Sequence, residues 1–312
     1  MKNKMIIMFL FVCSCAFGQT TYQSYINEAD AAYMDKNYEK ALESFQSALK
    51  LNLDMPLYNA ACVAALAGKK ELAFEWLNKA FEKGFYDARH LQKDNDLISL
   101  HDNPQWEKLV AIMQKKLDEI EANYDKPLQE KLLTIFADDQ EIRQKFILAR
   151  NKFGLPNKQV DSLAQIMRYK DSLNLIKIEE ILDKYGWVGE DKVGKQASAT
   201  LFLVIQHSDL ATQKKYLQML REAVKNNNAS PVHLAMLEDR ILVREGKKQL
   251  YGSQLDWNAE LNKNVLSPLE DPDNVDNRRA SVGLPPLADY LKNWGIDWNV
   301  EEYKKELEKN TK

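Results

Sequence analysis

The chain has 312 residues, of which 45% are hydrophobic and 29% are charged, the balance of a folded protein with room for two domains. Eleven glycines and nine prolines are few for this length, which favours long helices over a many-stranded β protein. A formal net charge of -3 provides no basic surface, so the composition excludes nucleic-acid binding as the function.

The start of the chain has the pattern of a secretory signal peptide over residues 1–18. Two early lysines precede an apolar run over 5–12, and small residues at Ala16 and Gly18 precede a cleavage site. The run is too short to remain as a membrane anchor, and no later segment is long enough to span a bilayer. Two alternatives stay open, a lipoprotein signal with Cys15 as the lipidated residue and a buried N-terminal helix. We expect an exported protein, periplasmic or extracellular.

Cysteine usage fits export without disulfide bonds. Cys62 is the only cysteine beyond the leader, and its alanine-rich surroundings are typical of a buried helix. No group of histidines and cysteines has the spacing of zinc ligands. The sequence therefore predicts neither a metal nor a cofactor.

An internal repeat follows the leader. Two helix–turn–helix patterns have their turns at 36–37 and 68–69, 32 positions apart. They resemble the tetratricopeptide repeat through matched small and large residues, which are Ala29, Tyr38, Ala41, Phe45 and Ala48 in one copy and Ala61, Gly68, Ala73, Leu77 and Ala80 in the other. The resemblance implies an α-solenoid over 19–124 that binds a protein or peptide on its concave surface.

A divergent helical pair over 87–116 is expected to cap this array. Asp94 and Asn103-Pro104 have the chemistry of helix starts, namely an acidic or Asn cap and a proline at the first helical position. A charged helix over 115–124 then leads to a domain boundary near 125–127.

The second domain, residues 125–312, is predicted to be helical with a small β-hairpin near 250–270. Periodicity and capping signals predict five helices, over 127–150, 157–184, 195–207, 210–225 and 231–245. The strands of the hairpin are placed at 250–257 and 265–270, and Asn299 should begin a final helix. The fold class is therefore mainly all-α.

The helix over 195–207 carries the first candidate site residue. It is apolar apart from Ser198 and Thr200 over most of its length, so it should be buried on nearly all sides and end at His207. In one interpretation His207 and Asp209 are structural, the imidazole at a helix C-terminus and the carboxylate as the next N-cap. In the other, His207 is a catalytic acid or base and Asp209 binds substrate, since imidazole changes protonation near neutral pH.

Asp239 is the second candidate catalytic residue. It shares a helical face with Met236 and Val243, where a carboxylate costs free energy unless it is paired. A structural ion pair is one interpretation, and its candidate partners are Arg278 and Arg279. The alternative is a pocket in which these arginines bind a small anionic ligand.

Further polar residues are candidates for substrate binding, namely Arg240, Tyr251, Gln254 and Asp276. The segment 251–254 is predicted to lie on the first hairpin strand. Ser253 lacks the flanking glycines of a nucleophile elbow, so a serine hydrolase is not indicated.

Five short motifs in this order resemble the bacterial domain of unknown function 6624. They are Gln206-His207-Ser208-Asp209, Asp239-Arg240, Tyr251-Gly252-Ser253-Gln254, Val275-Asp276-Asn277-Arg278-Arg279 and Gly283-Leu284. The resemblance covers about 128–298, with Ser253 where the pattern would have threonine. It implies no established activity, substrate or catalytic residue.

Two functions fit these observations. The first is a protein-binding scaffold of the cell envelope that uses the repeats. The second is an envelope enzyme, such as a hydrolase, that uses His207, Asp239 and an arginine in a polar pocket.

Overall fold

The computed structural model describes residues 16–52, 55–258 and 263–310. The predicted leader therefore lies outside the described residues except for its last three positions, which begin the first helix. Internal contacts divide the chain into two compact units, one ending at Ala122 and the other beginning at Asn123. Within the described part of the chain, no helix has both the length and the apolar character needed to cross a bilayer.

The N-terminal unit consists of helices. They are α1 (Ala16–Met34), α2 (Tyr38–Leu51), α3 (Tyr58–Leu66), α4 (Lys70–Glu82), α5 (Ala88–Lys93), a 3-10 helix (Asn95–Leu100) and α6 (Pro104–Glu121). α1 and α2 form one hairpin and α3 and α4 another. Their turns contain Lys36 and Gly68 in left-handed conformation, at φ 58° and 72°, so the two matched turns of the sequence have the same geometry.

Small side chains allow these helices to approach closely. Ala29, Ala41, Ala48 and Ala73 are fully buried, and larger side chains such as Phe45 fill the space between hairpins. α3 is buried along its whole middle section, residues 60–65, because the 3-10 helix packs on it in addition to α2 and α4. The face of α3 that an open solenoid would expose is therefore covered.

The charged segment over 115–124 is helical up to Glu121. It forms the last part of α6, which runs without interruption from Pro104 to Glu121. Asn103 caps its start by accepting a hydrogen bond from the Gln105 amide at 2.9 Å. Nothing between these ends stops a helix, since the segment contains neither glycine nor proline.

The C-terminal unit is also mainly helical, which confirms the predicted fold class. Its elements are α7 (Lys126–Phe153), α8 (Lys158–Tyr185), α9 (Glu190–Val193), α10 (Lys195–His207), α11 (Leu210–Lys225), α12 (Pro231–Arg244), β1 (Leu255–Asn258), β2 (Lys263–Leu266), α13 (Val275–Ser281), α14 (Leu287–Lys292) and α15 (Val300–Asn310). β1 and β2 pair antiparallel, with Leu255 opposite Leu266.

Side-chain caps explain where the long helices begin. Asp125, Asn157, Asp209 and Ser230 each accept a hydrogen bond from a backbone amide in the first turn of α7, α8, α11 and α12. These signals are local in sequence, so the helices lie close to their predicted positions.

α10 is the central helix of this unit. It contacts α7, α8, α11 and α12, and eight of its thirteen residues are buried. Leu201, Phe202 and Ile205 pack against Leu132 and Ile178 of the α7–α8 hairpin. The predicted burial on nearly all sides is thus confirmed, and it places the C-terminal end of α10 among the other helices.

The segment 250–254 is not a strand, which corrects the predicted hairpin. β1 begins only at Leu255, and Gly252 has φ +70°, a left-handed conformation outside the β region. The backbone amides of Leu250, Tyr251 and Ser253 all donate to the carboxylate of Asp239. They are therefore not available for hydrogen bonds to a neighbouring strand. We refer to residues 249–254 as the carboxylate loop, because three of their backbone amides bind the carboxylate of Asp239.

His233 makes the stability of the C-terminal unit sensitive to acid. Its ring stacks on Phe202, with centroids 4.3 Å apart and planes at 3°. Burial, followed by the charge of Lys195, lowers the pKa of His233 to about 4. The folded state therefore keeps this imidazole neutral, while the unfolded chain takes up a proton below its ordinary pKa of about 6.5. Stability is lost as the pH falls from about 6.5 towards about 4.

We expect His233→Phe to remove roughly 2 kcal/mol of this acid-induced loss, because the aromatic stack is kept and no proton can bind. Urea unfolding at about pH 7 and about pH 4.5 measures the difference. His90→Gln, a change at an exposed histidine, is the control and should behave like the parent. An equal acid sensitivity in the phenylalanine variant would contradict the prediction.

Candidate functional site

Polar groups from four elements meet at the C-terminal end of α10. The last carbonyls of a helix lack partners within it and need donors from elsewhere. Arg240 Nη1 donates to the Gln206 carbonyl at 3.3 Å, and Arg244 Nη1 donates to the Ser208 carbonyl at 2.6 Å. Gln213 Nε2 donates to the Gln206 carbonyl as well, at 2.8 Å. Two guanidinium groups from α12 thus bind the carbonyls on either side of His207.

His207 is oriented by a buried carboxylate that was not among the predicted residues. Its Nδ1 lies 3.0 Å from Oδ1 of Asp139, a residue of α7 that is 1% exposed. Burial alone would raise the pKa of Asp139, but the hydrogen bond from His207 and the charges of His207 and Arg143 together lower it. The ionised carboxylate accepts a hydrogen bond from Nδ1–H, so in the neutral form of the His207 imidazole the lone pair is on Nε2.

Arg143 contacts the same oxygen of the Asp139 carboxylate as His207. Its Nη1 lies 3.0 Å from Asp139 Oδ1, and its Nη2 lies 2.8 Å from Asp171 Oδ1 on α8. Gln140 Nε2 donates to Asp139 Oδ2 at 2.6 Å. Asp139 is therefore held from several sides, and both nearby carboxylates are already engaged by Arg143.

Arg240 has no carboxylate partner among the described residues. Its Nε donates to Oε1 of Gln254 at 3.0 Å, and its remaining bond is the one to the Gln206 carbonyl. Burial, followed by the charges of Arg244 and Arg143, lowers the pKa of Arg240 to about 10. This cationic, half-buried group has two of its five N–H donors used by neutral oxygens.

Gln254 is fixed so that its amide oxygen faces Arg240. Its Nε2 donates to Ser253 Oγ at 2.9 Å, and its backbone amide donates to Gln249 Oε1 at 2.8 Å. The carboxylate loop thus contributes an acceptor to the site without adding a charge. Residues 249–254 include no aspartate or glutamate, so no side chain of this loop would repel an anionic ligand at Arg240.

Asp239 lies next to this site in sequence, but it points into the carboxylate loop. It is fully buried, and its oxygens accept from the amides of Leu250 at 2.7 Å, Tyr251 at 3.0 Å and Ser253 at 3.0 Å. The predicted pairing with Arg278 or Arg279 is wrong, because backbone amides satisfy the carboxylate instead. By accepting these three amides, Asp239 fixes the backbone conformation of the carboxylate loop.

The two predicted arginines of α13 bind backbone carbonyls. Arg278 Nε donates to the Leu250 carbonyl at 2.7 Å, and Arg279 Nη1 donates to the Tyr251 carbonyl at 2.6 Å. Arg279 is 1% exposed and stacks on Tyr290, 5.2 Å from the ring centroid. The two arginines of α13 therefore bind carbonyls of the same loop whose amides bind Asp239.

The remaining predicted residues are placed as follows. Asp209 caps α11 through the Thr212 amide at 2.8 Å, and this bond lowers the pKa of Asp209. Asp276 accepts from the Leu287 amide at 2.7 Å, and Tyr251 lies in the carboxylate loop. The structure thus brings His207, Arg240 and Gln254 to the end of α10, while the other predicted residues support the surrounding chain.

Sequence reasoning missed Asp139 although a signal for it exists. Leu132, Ile135 and Ile142 lie on one stripe of α7, and Asp139 occupies the same stripe at spacings of seven, four and three. This is the argument that singled out Asp239. Asp138 precedes Asp139, and two adjacent aspartates are typical of a solvent-exposed helical face. The sequence therefore does not single out Asp139 as the buried one of the two.

Comparisons with known proteins give two family matches. Residues 21–122 match the family described as an A/B hydrolase-like N-terminal domain, and residues 126–298 match a family of unknown function, DUF6624. Searches of curated proteins and of solved structures returned no significant match.

The first match overturns the assignment of tetratricopeptide repeats to the N-terminal unit. The alternation of small and large residues encodes closely packed helical hairpins, and such hairpins are not particular to one repeat family. The covered face of α3 agrees with this correction. The second match spans more than half of the chain, and its range contains His207, Asp239 and Arg279. The chain belongs to the DUF6624 family.

Proposed function

We propose that this chain is an exported protein whose C-terminal unit binds a small anionic molecule at the C-terminal end of α10. The observation that carries the proposal is Arg240, a half-buried guanidinium group without a carboxylate partner in the part of the chain that the structure describes. Burying a charge without a counter-charge is costly, and a bound anion supplies that counter-charge.

The arginines near Arg240 add to the positive charge that an anionic ligand would neutralise. Arg244 and Arg143 add positive charge, and these charges contribute to the lowered pKa of Arg240. Capping the carbonyls of α10 explains only part of the arrangement, because Arg240 keeps N–H donors beyond the two that Gln254 and Gln206 accept. A planar fork of donors fits carboxylate or phosphate oxygens.

Export rests on the leader pattern over residues 1–18, with a lipid-modified Cys15 as the alternative route to the envelope. The protein-binding role expected for the N-terminal unit depended on the repeat assignment. Since that assignment is overturned, the proposed function rests on the C-terminal unit alone.

Arg240→Gln is expected to weaken anion binding by roughly 10- to 100-fold, the effect of losing a charged hydrogen-bond partner. Calorimetric titration with phosphate, acetate and citrate at constant ionic strength measures it. Arg221→Gln is the matched control, because Arg221 lies on the neighbouring helix in an exposed ion pair with Glu238. Equal weakening in both variants would point to a general charge effect and contradict a specific site.

A second candidate function is hydrolysis of an anionic ester at the same place. The specific observation is the His207–Asp139 pair, in which a buried carboxylate holds Nδ1 and leaves Nε2 unpaired among the described residues. This is the orientation that a general base requires.

A further inference from the structure

An open cavity of about 230 Å³ lies in the N-terminal unit, formed by α1, α2, α3, α5 and the start of the 3-10 helix with its N-cap. Its walls combine three aromatic rings with three carboxylates, from Tyr33, Phe45, Tyr58, Asp30, Asp94 and Asp96. We call it the tyrosine pocket.

No lysine or arginine of the described residues forms an ion pair with the carboxylates of the tyrosine pocket. Asp94 Oδ2 accepts from the Tyr58 hydroxyl at 2.7 Å, and Asp96 Oδ2 accepts from the Tyr33 hydroxyl at 2.8 Å. The nearest basic group to Asp94 is the His90 imidazole, at 3.8 Å. The side chain of Asp30, which is exposed, makes no hydrogen bond or ion pair with the described residues. The cavity therefore has a negative potential that a cation would neutralise.

The carboxylates are fixed before any ligand arrives. Asp94 is the N-cap of the 3-10 helix, and its Oδ1 accepts from the Asp96 amide at 3.0 Å, which directs Oδ2 towards Tyr58. Tyr58 is itself held by stacking on Phe85, with centroids 4.2 Å apart. The hydrogen bond to Asp96, followed by burial, raises the pKa of Tyr33 to about 12, so its hydroxyl remains a donor.

The aromatic wall is a separate observation that narrows the class of cation. Ring faces attract ammonium groups and also cover the methylene chain that carries them. The volume exceeds what a bare metal ion needs and is below that of pockets for drug-sized ligands. We propose that the tyrosine pocket binds the ammonium group and alkyl chain of a small aliphatic amine, either free or as a lysine side chain.

A metal ion is the competing occupant. The thiol of Cys62 and the carboxylates of Asp94 and Asp96 bring one ligand atom each within 4.8 Å of one another. The Cys62 thiol donates to Asp94 Oδ2 at 3.5 Å, so two of these three ligand atoms are already paired with each other. The aromatic rings would also have no role in such a site. These observations favour the amine.

Titration of the purified protein with pentylamine, Nα-acetyl-lysine amide and pentanol tests the proposal. We expect saturable binding of at least one of the two charged probes at millimolar concentrations and at least tenfold weaker binding of pentanol, which has the same chain without the charge. Binding of pentylamine alone identifies a free amine as the ligand, and binding of the lysine derivative identifies a side chain. Equal binding of pentanol, or no binding of either amine, would overturn the proposal.

Neutralising variants locate the site. Asp94→Asn keeps the oxygen that caps the 3-10 helix, and Asp30→Asn changes a carboxylate that supports no other contact, so at least one of the two should remain folded. Each folded variant should bind the amine several-fold more weakly, whereas Asp118→Asn on the exposed face of α6 should not differ from the parent. Zn²⁺ binding that Asp94→Asn abolishes, with amine binding unchanged, would assign the pocket to a metal instead.

Discussion

Asp239→Ala is expected to destabilise the C-terminal unit by about 4 kcal/mol, more than any other single change considered for it. The carboxylate of Asp239 is fully buried and accepts the amides of Leu250, Tyr251 and Ser253. Alanine would leave these three donors without a partner, at roughly 1–3 kcal/mol for each buried unsatisfied group. The lower part of that range is appropriate because the loop can relax towards water.

Urea unfolding followed by a probe in the C-terminal unit measures this loss. Glu238→Gln is the matched control, since it removes the neighbouring carboxylate from an exposed ion pair with Arg221 and should cost less than about 1 kcal/mol. Asp239→Asn should fall between the two, because one side-chain oxygen still accepts while the new NH₂ group opposes a backbone donor. An alanine variant as stable as the control would show that the carboxylate does not hold the loop.

The same variants bear on the catalytic role predicted for Asp239 from its sequence position. Asp239→Asn, if folded, keeps the carboxylate loop near Arg240 and leaves the His207–Asp139 pair untouched. Unchanged anion affinity in that variant would assign Asp239 to the loop alone. A loss of affinity similar to that of Arg240→Gln would show that loop geometry controls the site.

Helices were predictable because their signals are local. An N-cap such as Asp209 or Ser230 lies beside the helix that it starts, so one sequence window contains both the cause and its effect. The burial of α10 was predictable for the same reason, since its apolar run contains no charged residue between Ala197 and Ile205.

The carboxylate loop was not predictable in this way. The segment 250–257 is too short for a helix, which indicates a strand, but Asp239, eleven positions before Leu250, takes up the amides that a strand would use. The partner of His207 lies 68 positions earlier in the chain. A single sequence offers an apolar stripe containing Asp139, yet no spacing in it relates that stripe to the end of another helix.

The His207–Asp139 pair at the end of α10 has the geometry to catalyse hydrolysis of an anionic ester. If it hydrolyses an anionic ester, His207 Nε2 takes a proton from water as the water oxygen bonds to phosphorus or to the carbonyl carbon. The ester oxygen then leaves and receives that proton back from Nε2. Asp139 stabilises the imidazolium that exists between these two proton transfers.

His207→Gln is then expected to lower the rate of ester hydrolysis by about 10²- to 10⁴-fold, the usual contribution of a positioned acid–base group. Nitrophenyl phosphate and nitrophenyl carboxylate esters with a free carboxyl group are suitable substrates, and Arg221→Gln is the control. Anion affinity should persist in His207→Gln, because Arg240 and Gln254 are unchanged, so binding and turnover separate in one protein. Hydrolysis that survives this substitution would exclude His207 as the base, and anion binding without hydrolysis in the parent would make recognition the function of the site.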